Sequence, residues 1–333
     1  MKKITMKNIG VGIIGAGPIG WKRADVIKKS KLGKLVAVAD IDLKKAELLA
    51  NKHHCLAYQN WRDILSNKNI SAVIISVPNN LSSFISIEAL KQEKNVLCEK
   101  PLGRNAAEDK KVLKETQKHK KIFKVGFNHR FYSSISNAKK IYDKGEIGKL
   151  IFIRARYGHG GRYKMEKEWR MDKKISGGGE LRDQGVHIID LIRWFGGEPD
   201  KIFGMAEARF WKANVDDNAF VIMSNKKVTA TFHVSSTNWK NIFSLEVFGD
   251  KGYLEINGTG GSYGKETLIF GKRKEKFGVP DIKIFKFKND VSWLREWENF
   301  LDAIFKKSKI NGSVVDGYRA NLLVDKIYKI SKL

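Results

Sequence analysis

The sequence predicts an α/β protein with a doubly wound parallel sheet first and an α/β domain on a large, mainly antiparallel open sheet after it. Three observations predict this. Up to about residue 125, short apolar runs alternate with segments of helical period, as the crossovers of a parallel sheet require. The first run, VGII, turns through Gly15, Gly17 and Gly20 straight into helical spacing at Ile19, Arg23, Val26 and Ile27. From about 200 to 287 the apolar residues alternate with polar ones, the period of half-buried antiparallel strands.

In order, LVAVAD reads as the second strand, DLKKAELLANKHH as a helix, CLAYQ as a short strand and WRDIL as a short helix. ISAVIISV at 70–77 is a near-continuous apolar strand that stops at Pro78-Asn79, followed by the amphipathic helix LSSFISIEALKQEK. NVLCE is a fifth strand, NAAEDKKVLKETQKHKK a helix with Asn105 at its N-cap, and KIFKVGF a sixth strand. The texture changes after Phe127, so the reading places one domain at 1–126 and a second at 127–333. There, SISNAKKIYDKG is a helix, KLIFIRARY a strand, YGHGGRY a loop, and a helix lies near 179–195. IFGMAEARF, NAFVIMS, KVTATFHVSS, FSLEVFG and GYLEIN are the alternating strands, and SWLREWENFLDAIFKK and VDGYRANLLVDKIYKI close this domain as helices.

The glycine turn carries the first chemistry. One glycine permits the tight turn, one lets backbone approach a pyrophosphate, and one lets helix pack close on strand. Phosphates then meet free N–H groups at the positive end of the helix dipole. Asp40 ends the second strand twenty residues beyond Gly20, where a carboxylate accepts hydrogen bonds from an adenosine ribose. Glu99-Lys100-Pro101 ends the fifth strand on the same sheet edge; beside a nicotinamide, desolvation and the ring's charge would lower the lysine pKa and suit it to proton transfer. In SGGGELRDQGVHIIDLIRWF, Asp183 and His187 lie four apart on a helix and share a face, with Gly185 between them allowing close approach of a planar ring. A histidine oriented by a carboxylate is a usual general base. For a metal, a third and fourth ligand at suitable spacing, an H-E-x-x-H and paired C-x-x-C motifs are all missing from the sequence.

Composition narrows the partners. Hydrophobic content of 42% and charged content of 30% over 333 residues fit an ordinary globular protein with room for two cores. The net charge of +27 points to anionic partners, but the lysines are scattered: KVLKETQKHKK reads as a solvated helix face and KRKEKF at 272–277 as a loop. A nucleic-acid binder would need a basic face interleaved with aromatics for the bases, so no nucleic acid is expected. The N-terminal MKK mimics a secretory leader, but the apolar run after it is broken by glycines and a proline. No stretch approaches the roughly 18 apolar residues of a membrane span. Cys55 and Cys98, the only cysteines, read as reduced thiols, with Cys98 buried, and the expected location is cytoplasmic.

GAGPIG, VAVAD, SAVIISVPNN, ALKQEKNVLCEKPL, VGFNHRF, KGEIGKL, GGGELRDQGVHIIDL and EVFGDKGYLEI together resemble the Gfo/Idh/MocA family of NAD(P)-dependent sugar and inositol oxidoreductases over nearly the whole chain. The resemblance implies an N-terminal Rossmann domain and a C-terminal domain whose open sheet forms a homodimer or homotetramer. It implies Lys100, Asp183 and His187 as the catalytic set, with a cis Lys100–Pro101 bond. The dinucleotide would lie on Gly15, Gly17, Pro18, Ile19 and Gly20, on Asp40 and Ile41, on Ser76, Val77, Pro78, Asn79 and Ser82, and on Glu99, Lys100, Pro101 and Asn128. Ser82 stands where many members carry a histidine. Ile41 stands where users of the 2′-phosphorylated cofactor place Ser, Thr or Arg, and Asp40 would repel that phosphate, so NAD is expected rather than NADP. Substrate contacts would come from Lys100, Asn128, Arg130, His159, Arg162, Trp169, Arg170, Asp183 and His187, with Trp239 and Tyr263 lining the pocket. The arginines suit a phosphate or carboxylate, as in a nucleotide sugar or uronate. The family also holds redox-neutral enzymes that keep NAD bound, marked by no net release of NADH, and a non-catalytic dinucleotide sensor; the intact Lys, Asp and His set argues against the sensor.

Overall fold

A computed structural model describes residues 8–30 and 32–332. The MKK segment lies outside the described residues. The chain forms two compact units: Met1–Phe127 with Trp293–Arg319, and Asn128–Ser292 with Ala320–Leu333.

The first unit is a six-stranded parallel sheet in the order β3-β2-β1-β4-β5-β6. Its strands are β1 (Ile9–Ile14), β2 (Gly33–Ala39), β3 (Leu56–Tyr58), β4 (Ala72–Ile75), β5 (Asn95–Glu99) and β6 (Phe123–Gly126). Between them run α1 (Pro18–Lys29), α2 (Leu43–His53), α3 (Trp61–Ser66), α4 (Asn79–Lys91) and α5 (Ala106–Lys118). Val11, Ile13, Val73 and Ile74 are fully buried, which is why these strands read as continuous apolar runs. Proline opens α1, where its missing N–H costs nothing, and Lys28 and Lys29 close it at the negative end of its dipole. Asn105 caps α5, its side chain accepting from the Glu108 N–H at 2.9 Å. The apolar run at 70–77 yields a shorter strand than expected, and α4 starts at Asn79 because Pro78 takes its N-cap position.

The unit is completed from far along the chain. In α9 (Ser292–Lys306), Trp293, Leu294, Trp297, Phe300, Leu301, Ile304 and Phe305 make one helical stripe that joins a core with Ala24, Ile27, Leu35 and Leu97. Burying each large apolar side chain contributes roughly 1.5–3 kcal/mol. Sequence order alone puts this helix in the second domain, whereas its buried stripe packs in the first. Its pattern shows that one face is buried, but not which sheet buries it.

The second unit is an eight-stranded sheet in the order β14-β13-β12-β11-β7-β10-β9-β8, with only β7 and β10 parallel. After α6 (Ser133–Asp143) and β7 (Leu150–Gly158) come the short α7 (Lys173–Ser176), a π-helical turn (Leu181–Gly185) and α8 (Val186–Gly196). Two antiparallel runs follow on either side of β7, β8 (Lys201–Glu207), β9 (Asn218–Ser224) and β10 (Thr229–Ser235), then β11 (Ile242–Gly249), β12 (Gly252–Asn257), β13 (Glu266–Lys272) and β14 (Asp281–Phe287). The last two were not anticipated as strands; β14 is an exposed edge strand whose lysines keep other edges off it. α10 (Val314–Ser331) ends the chain. In β9, Ala219, Val221 and Met223 are buried while Phe220 and Ile222 are exposed on the opposite face. With Phe203 and Met205 of β8 they leave an open, apolar sheet face. Among the described residues no helix is long and apolar enough to cross a membrane.

Candidate active site

The glycine turn of the first unit is built as three different clearances. Gly15 has φ +103°, and a Cβ on it would lie 2.3 Å from the Ser76 carbonyl oxygen. A Cβ on Gly20 would lie 2.1 Å from the Gly15 carbonyl oxygen, so helix and turn touch there. At Gly17 a Cβ would meet nothing within 4 Å. Gly17 is also the N-cap of α1, and no side chain caps the free N–H groups of the helix's first turn. Tight turn, open approach and close packing are the arrangement a dinucleotide pyrophosphate needs, and the residues present fit that group.

Asp40 stands at the end of β2, accepting from the Ala16 N–H at 2.8 Å and the Asp42 N–H at 3.0 Å, while Ile41 beside it is exposed. Ser76 ties the end of β4 to the turn, its hydroxyl donating to the Gly15 carbonyl at 2.9 Å; Val77 and Pro78 carry the chain on into Asn79. Ser82 is buried and donates to the Leu102 carbonyl at 2.8 Å, so it braces the segment after Pro101. The Lys100–Pro101 bond is cis, as expected. Glu99 is gripped by Arg23, whose Nε donates to it at 2.7 Å, and Arg23 also reaches Glu296 at 2.7 Å.

In the second unit the D-x-x-x-H spacing crosses from the π-helical turn into α8, so Asp183 and His187 do not lie on one regular α-helix. His187 is buried, its ring stacked on His129 at 3.8 Å between centroids. Tyr132, Tyr157 and Phe243 pack around His129, and Tyr263 packs on Tyr157. Burial pushes the Tyr157 phenol well above its ordinary pKa and Tyr263 up to about 12, so both act as hydrogen-bonding hydroxyls. The turn is held by Asp216, which accepts from Gly179 N at 2.8 Å, Leu181 N at 2.7 Å and the Tyr328 hydroxyl at 2.6 Å. A Cβ on Gly179 would lie 1.8 Å from the Asp216 carbonyl oxygen, which is why glycine precedes this turn.

Several expectations need correction. Gly185 does not open a slot for a ring: a Cβ there would meet Leu181 at 3.0 Å and Val234 at 3.2 Å, so it serves packing. Arg130 is buried and bidentate to Asp190 at 2.7 and 2.6 Å, which commits it to holding α8 rather than a substrate. Asn128 is buried, its amide donating to the Ser292 hydroxyl at 3.3 Å and its carbonyl meeting His129 Nδ1 at 3.2 Å. Trp239 is exposed against Phe210, apart from the ring cluster that Tyr263 joins. Arg162 is paired with Glu168, and Arg170 stacks on Trp169 while reaching Glu168 at 3.7 Å and Asp183 at 3.4 Å. His159 Nε2 lies 3.5 Å from Glu180. His129, Tyr157, Glu180 and Asp216 were missed. His129 and Glu180 lie inside VGFNHRF and GGGELRDQGVHIIDL, Tyr157 ends KLIFIRARY and Asp216 just precedes NAFVIMS, but only the folded chain brings them together. Among the described residues no group of three or more His, Cys, Asp or Glu is placed to hold a metal.

Residues 9–127 match the model of an oxidoreductase family with an NAD-binding Rossmann fold, and residues 135–255 match the GFO/IDH/MocA C-terminal domain. The chain is 25% identical to the myo-inositol 2-dehydrogenase of Thermotoga maritima over 323 residues, 94% of this chain and 93% of that one. It is 30% identical to the levoglucosan dehydrogenase of Pseudarthrobacter phenanthrenivorans over 205 residues, 58% of this chain and about half (52%) of the relative. A levoglucosan dehydrogenase solved with NADH and levoglucosan superposes with a TM-score of 0.89 at 21% identity, covering 98% of each chain, a likeness of fold.

Proposed function

The chain belongs to the GFO/IDH/MocA oxidoreductase family, and from that premise we propose that it is an NAD-dependent dehydrogenase of a ring hydroxyl on a sugar, nucleotide sugar or cyclic polyol. The observation that carries the reading is His187, a buried imidazole stacked on a second ring at the start of α8, with Asp183 on the turn before it. Such an imidazole suits proton exchange with an alcohol more than surface solvation.

NAD, when bound, supplies the hydride acceptor. Gly17 and Ile19 would present free N–H groups at the N-terminus of α1 to its pyrophosphate, with Pro18 fixing the backbone between them, and Asp40 would accept from its ribose. Gly15 and Gly20 shape the turn, and Ser76, Val77, Pro78 and Asn79 form the next edge of the same site. The Asp40 carboxylate would repel a 2′-phosphate, which favours NAD over NADP. His187 takes the hydroxyl proton, Asp183 orients its imidazole, and Lys100 donates a hydrogen bond to the same oxygen as charge develops. Glu99, fixed by Arg23, holds the strand end from which Lys100 projects. His159, Arg162, Trp169 and Arg170 supply substrate contacts, and the exposed face carrying Phe203, Met205, Phe220 and Ile222 joins copies into a dimer or tetramer.

The test is a screen of polyols, free sugars and nucleotide sugars for NADH formation, with light scattering for the assembly. Stoichiometric release of NADH supports a dehydrogenase; turnover without release supports an enzyme that reduces and reoxidises its cofactor in place.

A further inference from the structure

We propose that Glu180 and His159 form a hydroxyl-binding subsite beside Asp183, selecting uncharged polyols and sugars over substrates that carry phosphate or carboxylate. The inference rests on the oxidoreductase reading and names its substrate class.

Glu180 is buried, 3% exposed, on the same turn as Asp183. Its Oε2 lies 3.5 Å from His159 Nε2, and its Oε1 has no hydrogen-bond partner among the described residues. His159 Nδ1 accepts the Gly161 N–H at 2.9 Å, which leaves the proton of a neutral ring on Nε2, toward Glu180. The phenols of Tyr157 and Tyr263 are close enough to Glu180 to interact with its charge, and Asp183 and Arg162 act electrostatically on both Glu180 and His159. A buried carboxyl oxygen calls for a donor. A hydroxyl provides one; a phosphate or carboxylate would instead add a third anion to Asp183 and to Glu180, whose burial leaves little water to screen it.

The arginines do not reverse this balance. Arg162 and Arg170 both face Glu168, and Arg170 also faces Asp183. An anionic substrate would have to displace Glu168 from two cations before gaining either. Burial raises the Glu180 pKa despite the His159 bond, which eases the switch between accepting from a hydroxyl and donating to one.

The experiment uses the full chain with NADH and measures binding of myo-inositol, glucose, glucose 6-phosphate and glucuronate by calorimetry, alongside NAD reduction. The expected result is that at least one neutral member binds about tenfold or more tighter than the charged ones. Glu180→Ala weakens that binding by about tenfold with NADH affinity unchanged, and Glu180→Gln, isosteric but uncharged, narrows the gap between glucose and glucose 6-phosphate. Tighter binding of the charged members, no binding of any neutral one, or neutral binding that both variants leave intact overturns the proposal. If Glu180→Ala does not fold, Glu180→Gln decides. Binding that depends on Glu180 without NAD reduction upholds the subsite and fails the dehydrogenase reading; turnover indifferent to Glu180 does the reverse.

Discussion

Arg23 in α1 donates its Nε to Glu99 at 2.7 Å, so the glutamate preceding Lys100 is fixed by a cation that is itself 99% buried. Glu296 of α9 balances the same guanidinium from the other side, and the Trp293 ring covers it at 4.5 Å. Removing the cation strands two carboxylates away from water. Arg23→Ala is therefore expected to destabilise the protein by about 3–5 kcal/mol, as breaking one side of a buried ion pair does. Urea unfolding monitored by tryptophan fluorescence measures it, and a loss below about 1 kcal/mol would mean that the carboxylates find other partners.

Lys100→Ala and His187→Ala each should lower turnover by about 10²- to 10⁴-fold, the range for a lost proton-transfer group. NAD affinity should stay within about threefold of the parent, a difference of less than 1 kcal/mol. Steady-state kinetics on the identified substrate, paired with NADH titration, check both. Parent-like turnover in either variant removes that residue from the chemistry.

The glycine turn separates binding from folding. Gly17→Ala places its methyl in open space, so the fold should survive while NAD affinity falls by about tenfold or more through blocked phosphate approach. Gly20→Ala drives a methyl to 2.1 Å from the Gly15 carbonyl oxygen and should cost about 1–3 kcal/mol of stability. Thermal melts with and without NAD distinguish the two. A Gly17→Ala protein with undiminished affinity would place the pyrophosphate elsewhere.

His159 should titrate above its ordinary value of 6.5. Burial opposes its protonation, but the hydrogen bond and charge of Glu180, with the charge of Asp183, outweigh burial. Since the folded pKa lies above the unfolded one, the stabilising contribution is full below about pH 6.5 and fades as pH rises through the folded midpoint. Histidine NMR titration reads the midpoint. Glu180→Gln should lower it and flatten the loss of stability over that window.

What could be read from sequence was local. The glycine turn, Asp40 and the Asn105 cap each depend on neighbours a few residues away or on one strand end, whereas the cis Lys100–Pro101 bond was implied by the family resemblance. Arg130 looked like a substrate cation because Asp190, its bidentate partner, belongs to a helix far along the chain. Glu180 and His159 carry no spacing signal as a pair, since the loop containing Arg162 and Trp169 intervenes. The alternation in β8 and β9 revealed strands, but apolar residues on both faces do not reveal which face stays open. Likewise the stripe on α9 announced burial and left its destination unstated.

That destination bears on how the molecule comes into being. Trp297 presses so near β2 that a Cβ on Gly33 would lie 2.9 Å from its indole, and Phe300 and Leu301 close the same core. A ribosome delivers this plug only after every strand of the second sheet has been made. The nucleotide-binding half therefore cannot mature on its own while the rest is being translated, and a fragment cut at Phe127 should emerge as a sticky, partly collapsed species rather than an autonomous module.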